Sequence, residues 1–244
     1  MKKLICIAAI LLMPVSAVYA SYDEALKLFQ EKKYRESLEK IASELSVERD
    51  FQENSPNYAL RFLAAHNHWK MGNHEAAIAH FRRCADIQKD LPDPLIDLGL
   101  LLLDLRRYRD TEPFAQRALA LQKNPIAYYV VAKSAYGLGN YWRAKEFFEK
   151  AISLDPEFFA AYNGLGMTLM RMGRYTQAST AFAAALAAAP SSSELLNNMG
   201  LCLEKMGKPK DALEYFKKAD RLSPGNATIR QNLSRLHQLL RLQY

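Results

Sequence analysis

Small and apolar residues return along this chain every 34 positions. Gly139, Gly173 and Gly207 keep that spacing, as do Ala144, Ala178 and Ala212, and Phe148, Phe182 and Phe216. Ala151, Ala185 and Ala219 stay in the same register, followed by Pro156, Pro190 and Pro224. Five columns in step define an array of short units, each too small to bury an apolar face alone and therefore stacked on its neighbours. Within 126–156, Tyr128, Val131, Ala132 and Ala135 fall at helical spacing and predict a first helix. It closes at Leu138, Gly139 and Asn140, where glycine takes the left-handed conformation that ends a helix. Tyr141 and Trp142 open a second helix carrying Ala144, Phe147, Phe148, Ala151 and Ile152, which stops before Pro156 because proline has no amide donor. Each unit is thus an antiparallel helix pair. Alanine and glycine let its helices approach, and aromatic rings fill the wedge between pairs.

These columns closely resemble the tetratricopeptide repeat family. The fifth unit matches its signature at Tyr162, Leu165, Gly166, Gly173, Tyr175, Ala178, Phe182, Ala185 and Pro190. The sixth matches at Leu196, Met199, Gly200, Gly207, Ala212, Phe216, Ala219 and Pro224, and the second at Ala64, Ala65, Gly72, His74, Ala77, Phe81 and Cys84. The third is weaker, with Thr111 and Ala115 in place of the small and aromatic residues. The first is degenerate and shows mainly as Tyr34, Ser37, Leu38 and Ile41; its offset to the second is 40, so about six residues are inserted around 46–57. The resemblance implies an all-α, right-handed solenoid of about six helix-turn-helix hairpins plus a C-terminal capping helix. The expected divisions are 21–57 for the degenerate first repeat and linker, 58–226 for five repeats, and 227–244 for the cap. In that cap Leu233, Leu236, Leu239 and Leu240 form the apolar side, and Arg230, Arg235 and Arg241 lie elsewhere. A membrane-surface or anionic-partner helix is the sharper alternative for this segment.

Residues 1–20 follow a different logic. Met1-Lys2-Lys3 is a short basic start, 4–13 is an apolar run too short to span a membrane, and Ser16 to Ala20 supply small residues around a cleavage point. The expectation is a secretory signal peptide cut after Ala20, delivering the protein to a bacterial periplasm. Secretion beyond it is the second destination.

The 244-residue chain is 50% hydrophobic with a formal charge of +7, which falls to +5 once Lys2 and Lys3 are removed. Its basic residues are spread over many helices rather than clustered, so nucleic-acid binding is set aside. Cys84 falls in the column of Ala118, Ala151, Ala185 and Ala219, and Cys202 lies beside Gly200; both read as packing residues, with no intramolecular disulfide expected. Four of five histidines, His66, His68, His74 and His80, crowd the second repeat. His66 and His68 are two apart and point to nearly opposite sides of a helix, so no metal site is expected there. Gly137 and Gly139, like Gly164 and Gly166, lie in helical hairpins without a preceding strand, which is the wrong setting for a phosphate loop. Neighbouring acids such as Glu146 and Glu149 read as solvated faces. No catalytic constellation assembles, and neither enzyme activity nor a cofactor is expected.

A binding surface remains. The family resemblance implies that the first helix of each hairpin lines a concave groove. Projected onto this sequence, that face holds Phe62, His66, Trp69 and Lys70, then Ile96, Leu100, Leu103 and Asp104. Tyr129, Lys133 and Tyr136 follow, then Asn163, Met167, Met170 and Arg171, and finally Asn197, Leu201, Glu204 and Lys205. Packing within or between repeats is the competing role for Leu100, Leu103 and Leu201. The mixture suits a protein or peptide segment with apolar anchors and acidic groups. The lysine-asparagine clamp that some family members use on acidic tails is absent. The Ala-rich stretch 181–189 is read first as simple helix propensity, with a second, outer docking surface as the alternative. The implied function is a non-catalytic periplasmic scaffold for protein–protein interaction, resembling the factors that assist Tad/Flp or type IV pilus or secretion-apparatus assembly. The alternative is an accessory factor that positions a peptidoglycan- or polysaccharide-synthesis enzyme. Neither nucleic acid nor a stable membrane span is expected, and peripheral association with the envelope is left open.

Overall fold

The computed structural model describes residues 17–45, 50 and 57–241. Residues 1–16, most of the expected signal peptide, lie outside them, as does most of the insertion between the first two repeats. The described residues form thirteen α-helices and no strand. The chain divides into two compact units, Met1–Lys123 and Asn124–Tyr244.

The first unit holds three hairpins: α1 (Ala17–Gln30) with α2 (Tyr34–Glu44), α3 (Asn57–Lys70) with α4 (His74–Ile87), and α5 (Asp93–Asp104) with α6 (Tyr108–Leu121). The second holds α7 (Pro125–Gly137) with α8 (Tyr141–Leu154), α9 (Phe159–Arg171) with α10 (Tyr175–Ala188), and α11 (Ser193–Lys205) with α12 (Pro209–Leu222). A last helix, α13 (Ala227–Arg241), packs on α12.

Every hairpin turns in the same way. In α7 the amide of Gly139 donates to Tyr136 O and that of Asn140 to Ala135 O, the reciprocal pair that satisfies the last carbonyls of a helix. The first donor of each pair has φ of +80° at Gly139, +74° at Gly173 and +73° at Gly207, as the glycine column requires. In the first and third hairpins the same hydrogen bonds form although Lys32 (φ +63°) and Arg106 (φ +57°) stand where glycine belongs. The second helices of the last three hairpins end alike. The amide after each helix donates to Ala151, Ala185 or Ala219, and a proline follows.

The core follows the columns. Phe81, Phe148, Phe182 and Phe216 are fully buried, each removing enough apolar surface to contribute about 2–3 kcal/mol, an upper estimate against a real denatured chain. The small column Ser37, Ala77, Thr111, Ala144, Ala178 and Ala212 is inaccessible throughout. Its two hydroxyls are satisfied: Ser37 Oγ donates to Ala25 O, and Thr111 Oγ1 to Arg107 O. The third hairpin, lacking the phenylalanine, fills its core from α5, where Leu98, Leu101 and Leu102 are wholly buried. In α13, Ile229 and Leu236 are buried, whereas Leu239, expected on the apolar side, is 40% exposed. Cys84 and Cys202 are buried thiols that face the carbonyl oxygens of Tyr58 and Tyr175.

Candidate partner-binding site

In the first unit, α3 carries Phe62, His66, Trp69 and Lys70 along one side. Phe62 lies edge-on to Phe81 (ring centroids 5.8 Å apart) and stacks on Tyr58 (5.8 Å), while Trp69 meets Phe81 edge-on at 6.1 Å. His66 sits inside this group at 4.8 Å from Phe62, 5.2 Å from Phe81 and 6.4 Å from Phe29 of α1. Its expected place on an open groove is therefore corrected: at 6% exposure it is a core residue, with Nε2 3.1 Å from Asp97 of α5. Ile96 is likewise buried, whereas Leu100 and Leu103 are half-buried. Phe62 and Trp69 each show only part of their rings, and Lys70 is exposed.

The electrostatics of this side are acidic. Burial, then the neighbouring Asp97, raises the Asp93 carboxyl above its usual range. Burial also raises the Tyr58 hydroxyl, with Cys84, Asp93 and Asp97 adding to the effect.

The second unit presents a different surface. Tyr129 of α7 packs at 5.2 Å from Phe158 and 5.9 Å from Phe148, and Tyr136 one turn pair later lies 5.7 Å from Tyr141. Arg171 at the end of α9 donates from Nε to Tyr141 Oη at 3.1 Å, with its guanidinium 5.7 Å from that ring's centroid. This hydrogen bond raises the already high Arg171 pKa, so its charge is fixed. Lys133 and the thioethers Met167 and Met170 are half-buried, and Lys205 is exposed.

Amide side chains join successive hairpins of this unit. Asn198 Nδ2 donates to Asn163 Oδ1 at 3.0 Å, Asn163 Nδ2 donates to Glu194 at 3.0 Å, and Asn232 Nδ2 of α13 donates to Asn197 Oδ1 at 3.0 Å. Arg235 of α13 grips Glu204 with both terminal nitrogens, one of them at 2.7 Å. Asn197 is 8% exposed. Its amide is part of the structure that holds α11 to α13. Half-buried aromatics, polarisable sulfur, amides and basic side chains together make a surface suited to binding a protein segment.

Four features escaped the sequence reading. Asp50, in the inserted segment, is a buried carboxylate that accepts from Asn57 Nδ2 (2.9 Å), Arg61 Nε (2.6 Å) and Arg83 Nε (2.5 Å). His68 and His80 stack with centroids 5.4 Å apart. Asp97, opposite His66, is the third. Trp142 is 66% exposed, and a sequence signal for it existed: its column holds Arg35, Glu75, Arg109, Thr176 and Lys210, polar in every other hairpin. Among the described residues no three His, Cys, Asp or Glu side chains are grouped to hold a metal ion. No helix there is long and apolar enough to cross a membrane.

Family models described as tetratricopeptide repeat match residues 58–91 and 126–158, 147–178, and 163–227. Among solved structures, the chain is similar to PilW, described as a widely conserved type IV pilus biogenesis factor. The identity is 17%, with 90% of this chain and 100% of PilW covered at a TM-score of 0.76. It is also similar to MamA, at 21% identity, 71% of this chain and 95% of MamA, with a TM-score of 0.59. A third is YrrB, described as having an unusual peptide-binding site, at 18% identity, 73% of this chain and 92% of YrrB, with a TM-score of 0.57. At these identities the likeness is one of fold. No curated protein matches the sequence.

Proposed function

This chain belongs to the tetratricopeptide repeat family, a family of interaction scaffolds, and we propose that it is a non-catalytic, exported scaffold that holds components of a pilus or secretion apparatus together during assembly. The observation that carries this reading is the first-helix side of the second unit. There Tyr129 and Tyr136 offer apolar area, and Lys133 and Arg171 offer charge. The likeness to PilW, which runs over 90% of this chain, supports the choice of process. Export is supported by the basic start, apolar run and small residues of 1–20. A cut after Ala20 leaves the α1 core residues Tyr22, Ala25 and Phe29 in place.

The test is genetic and biochemical together. Deleting the gene lowers surface piliation or secretion, and the intact gene restores it. A variant carrying Lys133→Glu with Tyr136→Ala does not, although it accumulates and remains helical by circular dichroism. Loss of an aromatic hot spot typically costs about 2 kcal/mol of binding, roughly thirtyfold in affinity. N-terminal sequencing of the mature protein gives Ser21. Intact piliation and secretion in the deletion strain would remove this reading.

A further inference from the structure

The turns inside the three hairpins of the second unit, at 137–143, 171–177 and 205–211, lie at one end of its helices. They carry six basic residues, Arg143, Arg171, Arg174, Lys205, Lys208 and Lys210, against a single acidic one, Asp211. The opposite end, where the chain passes between helices at 154–159, 188–194 and 222–227, carries Asp155, Glu157 and Glu194 and no basic residue. The unit is therefore polarised along its helix axes. The first unit is not. Its equivalent turns, 30–36, 70–76 and 104–110, hold seven basic and five acidic residues, and Lys33 and Arg107 are ion-paired to Glu31, Asp110 and Glu75.

The basic end also carries apolar surface. Trp142 is 66% exposed and Leu138 44% exposed, and the guanidinium of Arg174, from the next hairpin, lies 4.6 Å from the Trp142 ring centroid. A single exposed leucine needs no explanation. A tryptophan in a column that is otherwise polar, beside a leucine and within a run of six cations, does. These side chains stand at the tips of three successive turns. The cleft there, lined by Gly173, Arg174, Tyr175, Thr176, Gln177 and Met206, is shallow and open to solvent.

We propose that this end of the second unit seats against an anionic phospholipid surface, with Trp142 and Leu138 in the headgroup layer and the arginines and lysines on lipid phosphates. Tryptophan favours that layer because its ring is apolar and its N–H polar, and basic clusters are drawn to anionic leaflets. A row of turn tips meets a plane, whereas a peptide needs a groove. The acidic opposite end orients the unit in the same sense, since the surface repels it. The inference shares Arg171 with the scaffold reading above, but the residues its test uses, Trp142, Arg174, Lys208 and Lys210, lie outside that reading.

The readout is Trp142 itself. The full chain has two tryptophans, so Trp69→Phe leaves Trp142 alone. Vesicles of phosphatidylglycerol mixed equally with phosphatidylcholine shift its emission to the blue, and brominated lipid quenches it; vesicles of phosphatidylcholine alone do neither. Adding Arg174→Glu, Lys208→Glu and Lys210→Glu weakens the response at least about tenfold, and raising the salt weakens it without any substitution. Contacts made by other parts of the chain do not register in this signal. Trp142 emission that stays fixed with anionic vesicles overturns the proposal, as does an equal response to neutral ones. A response to polyglutamate with none to vesicles also overturns it and assigns the surface to an acidic protein segment.

Discussion

Gly200 of α11 faces the ring of Phe216 of α12 so closely that a Cβ on the glycine would lie 2.7 Å from Cε1 and 2.8 Å from Cδ1. Phe216 is fully buried, so its ring has nowhere to retreat. Gly166 meets Phe182 in the same way one hairpin earlier, at 2.6 Å. The glycine and phenylalanine columns are thus two halves of one contact. Gly200→Ala gains about 1 kcal/mol of helix propensity and loses more to overpacking, and Gly200→Leu costs roughly 1–3 kcal/mol overall. Denaturant melts that place Gly200→Leu level with wild type would overturn the pairing. Glu146→Ala, which breaks only an exposed pair with Lys150, leaves the midpoint unchanged.

The turn glycines answer a different demand. A Cβ at Gly139, Gly173 or Gly207 meets nothing within 4 Å, so these positions need the positive φ and not the space. Arg106 occupies the same conformation at φ +57° with a side chain that disfavours it. The left-handed region costs a non-glycine residue about 1–2 kcal/mol, part of which glycine returns as unfolded-state entropy. Arg106→Gly is therefore expected to stabilise the first unit by about 0.5–1 kcal/mol, seen as a higher urea midpoint at unchanged slope.

Asp50 ties the inserted segment to two helices. Burial alone would raise its carboxyl, but Arg61, Arg83 and Asn57 outweigh it and hold it below the usual range. A depressed folded pKa means the stabilisation is present above the unfolded value near 3.9 and is lost as pH falls through the folded one. Asp50→Ala leaves Arg61, only 8% exposed, without its buried partner and is expected to cost about 3–5 kcal/mol at neutral pH. The acid-induced loss below about pH 4 is then smaller in the variant than in wild type. Parallel pH profiles for the two proteins would count against the assignment.

The hairpins were legible in the sequence because close helix packing admits one residue size at each contact. Gly200 with Phe216 and Ala144 beside Phe148 leave a periodic trace for that reason. The left-handed turns were legible wherever glycine marks them, and invisible at Lys32 and Arg106, where hydrogen bonds to Phe29 and Leu103 enforce the same geometry on a residue that does not advertise it. His66 was projected onto a groove because its column holds Lys133 and Met167 elsewhere. Its burial depends on Phe29, Phe81 and Asp97, which come from three other helices. Asp50 lies in an insertion, outside any period. Basic residues that look scattered along the chain gather at one end of the second unit because the turns recur every 34 residues and the fold brings them side by side.

The stacked imidazoles of His68 and His80 make the first unit sensitive to mild acid. Burial pushes His80 down to about 4, helped by the neighbouring His68 and Arg61, and burial also lowers His68. Both rings are neutral in the folded state near pH 7, and so are they in the unfolded chain, so nothing is lost there. Below about pH 6.5 the unfolded chain takes up protons that the folded pair refuses, and stability falls with pH until the folded rings titrate. One pKa unit corresponds to about 1.4 kcal/mol, and partial solvent access at both rings trims the loss to roughly 1–2 kcal/mol between pH 6.5 and 4. Trp69, 6.1 Å from Phe81, reports on this unit once Trp142→Phe removes the other tryptophan. Its urea midpoint should decline from pH 7 to 4.5, and His80→Gln, which cannot take a proton, should flatten most of that decline. A midpoint that stays level in the parent, or declines just as steeply with His80→Gln, would exclude the histidine pair as the acid-sensitive element.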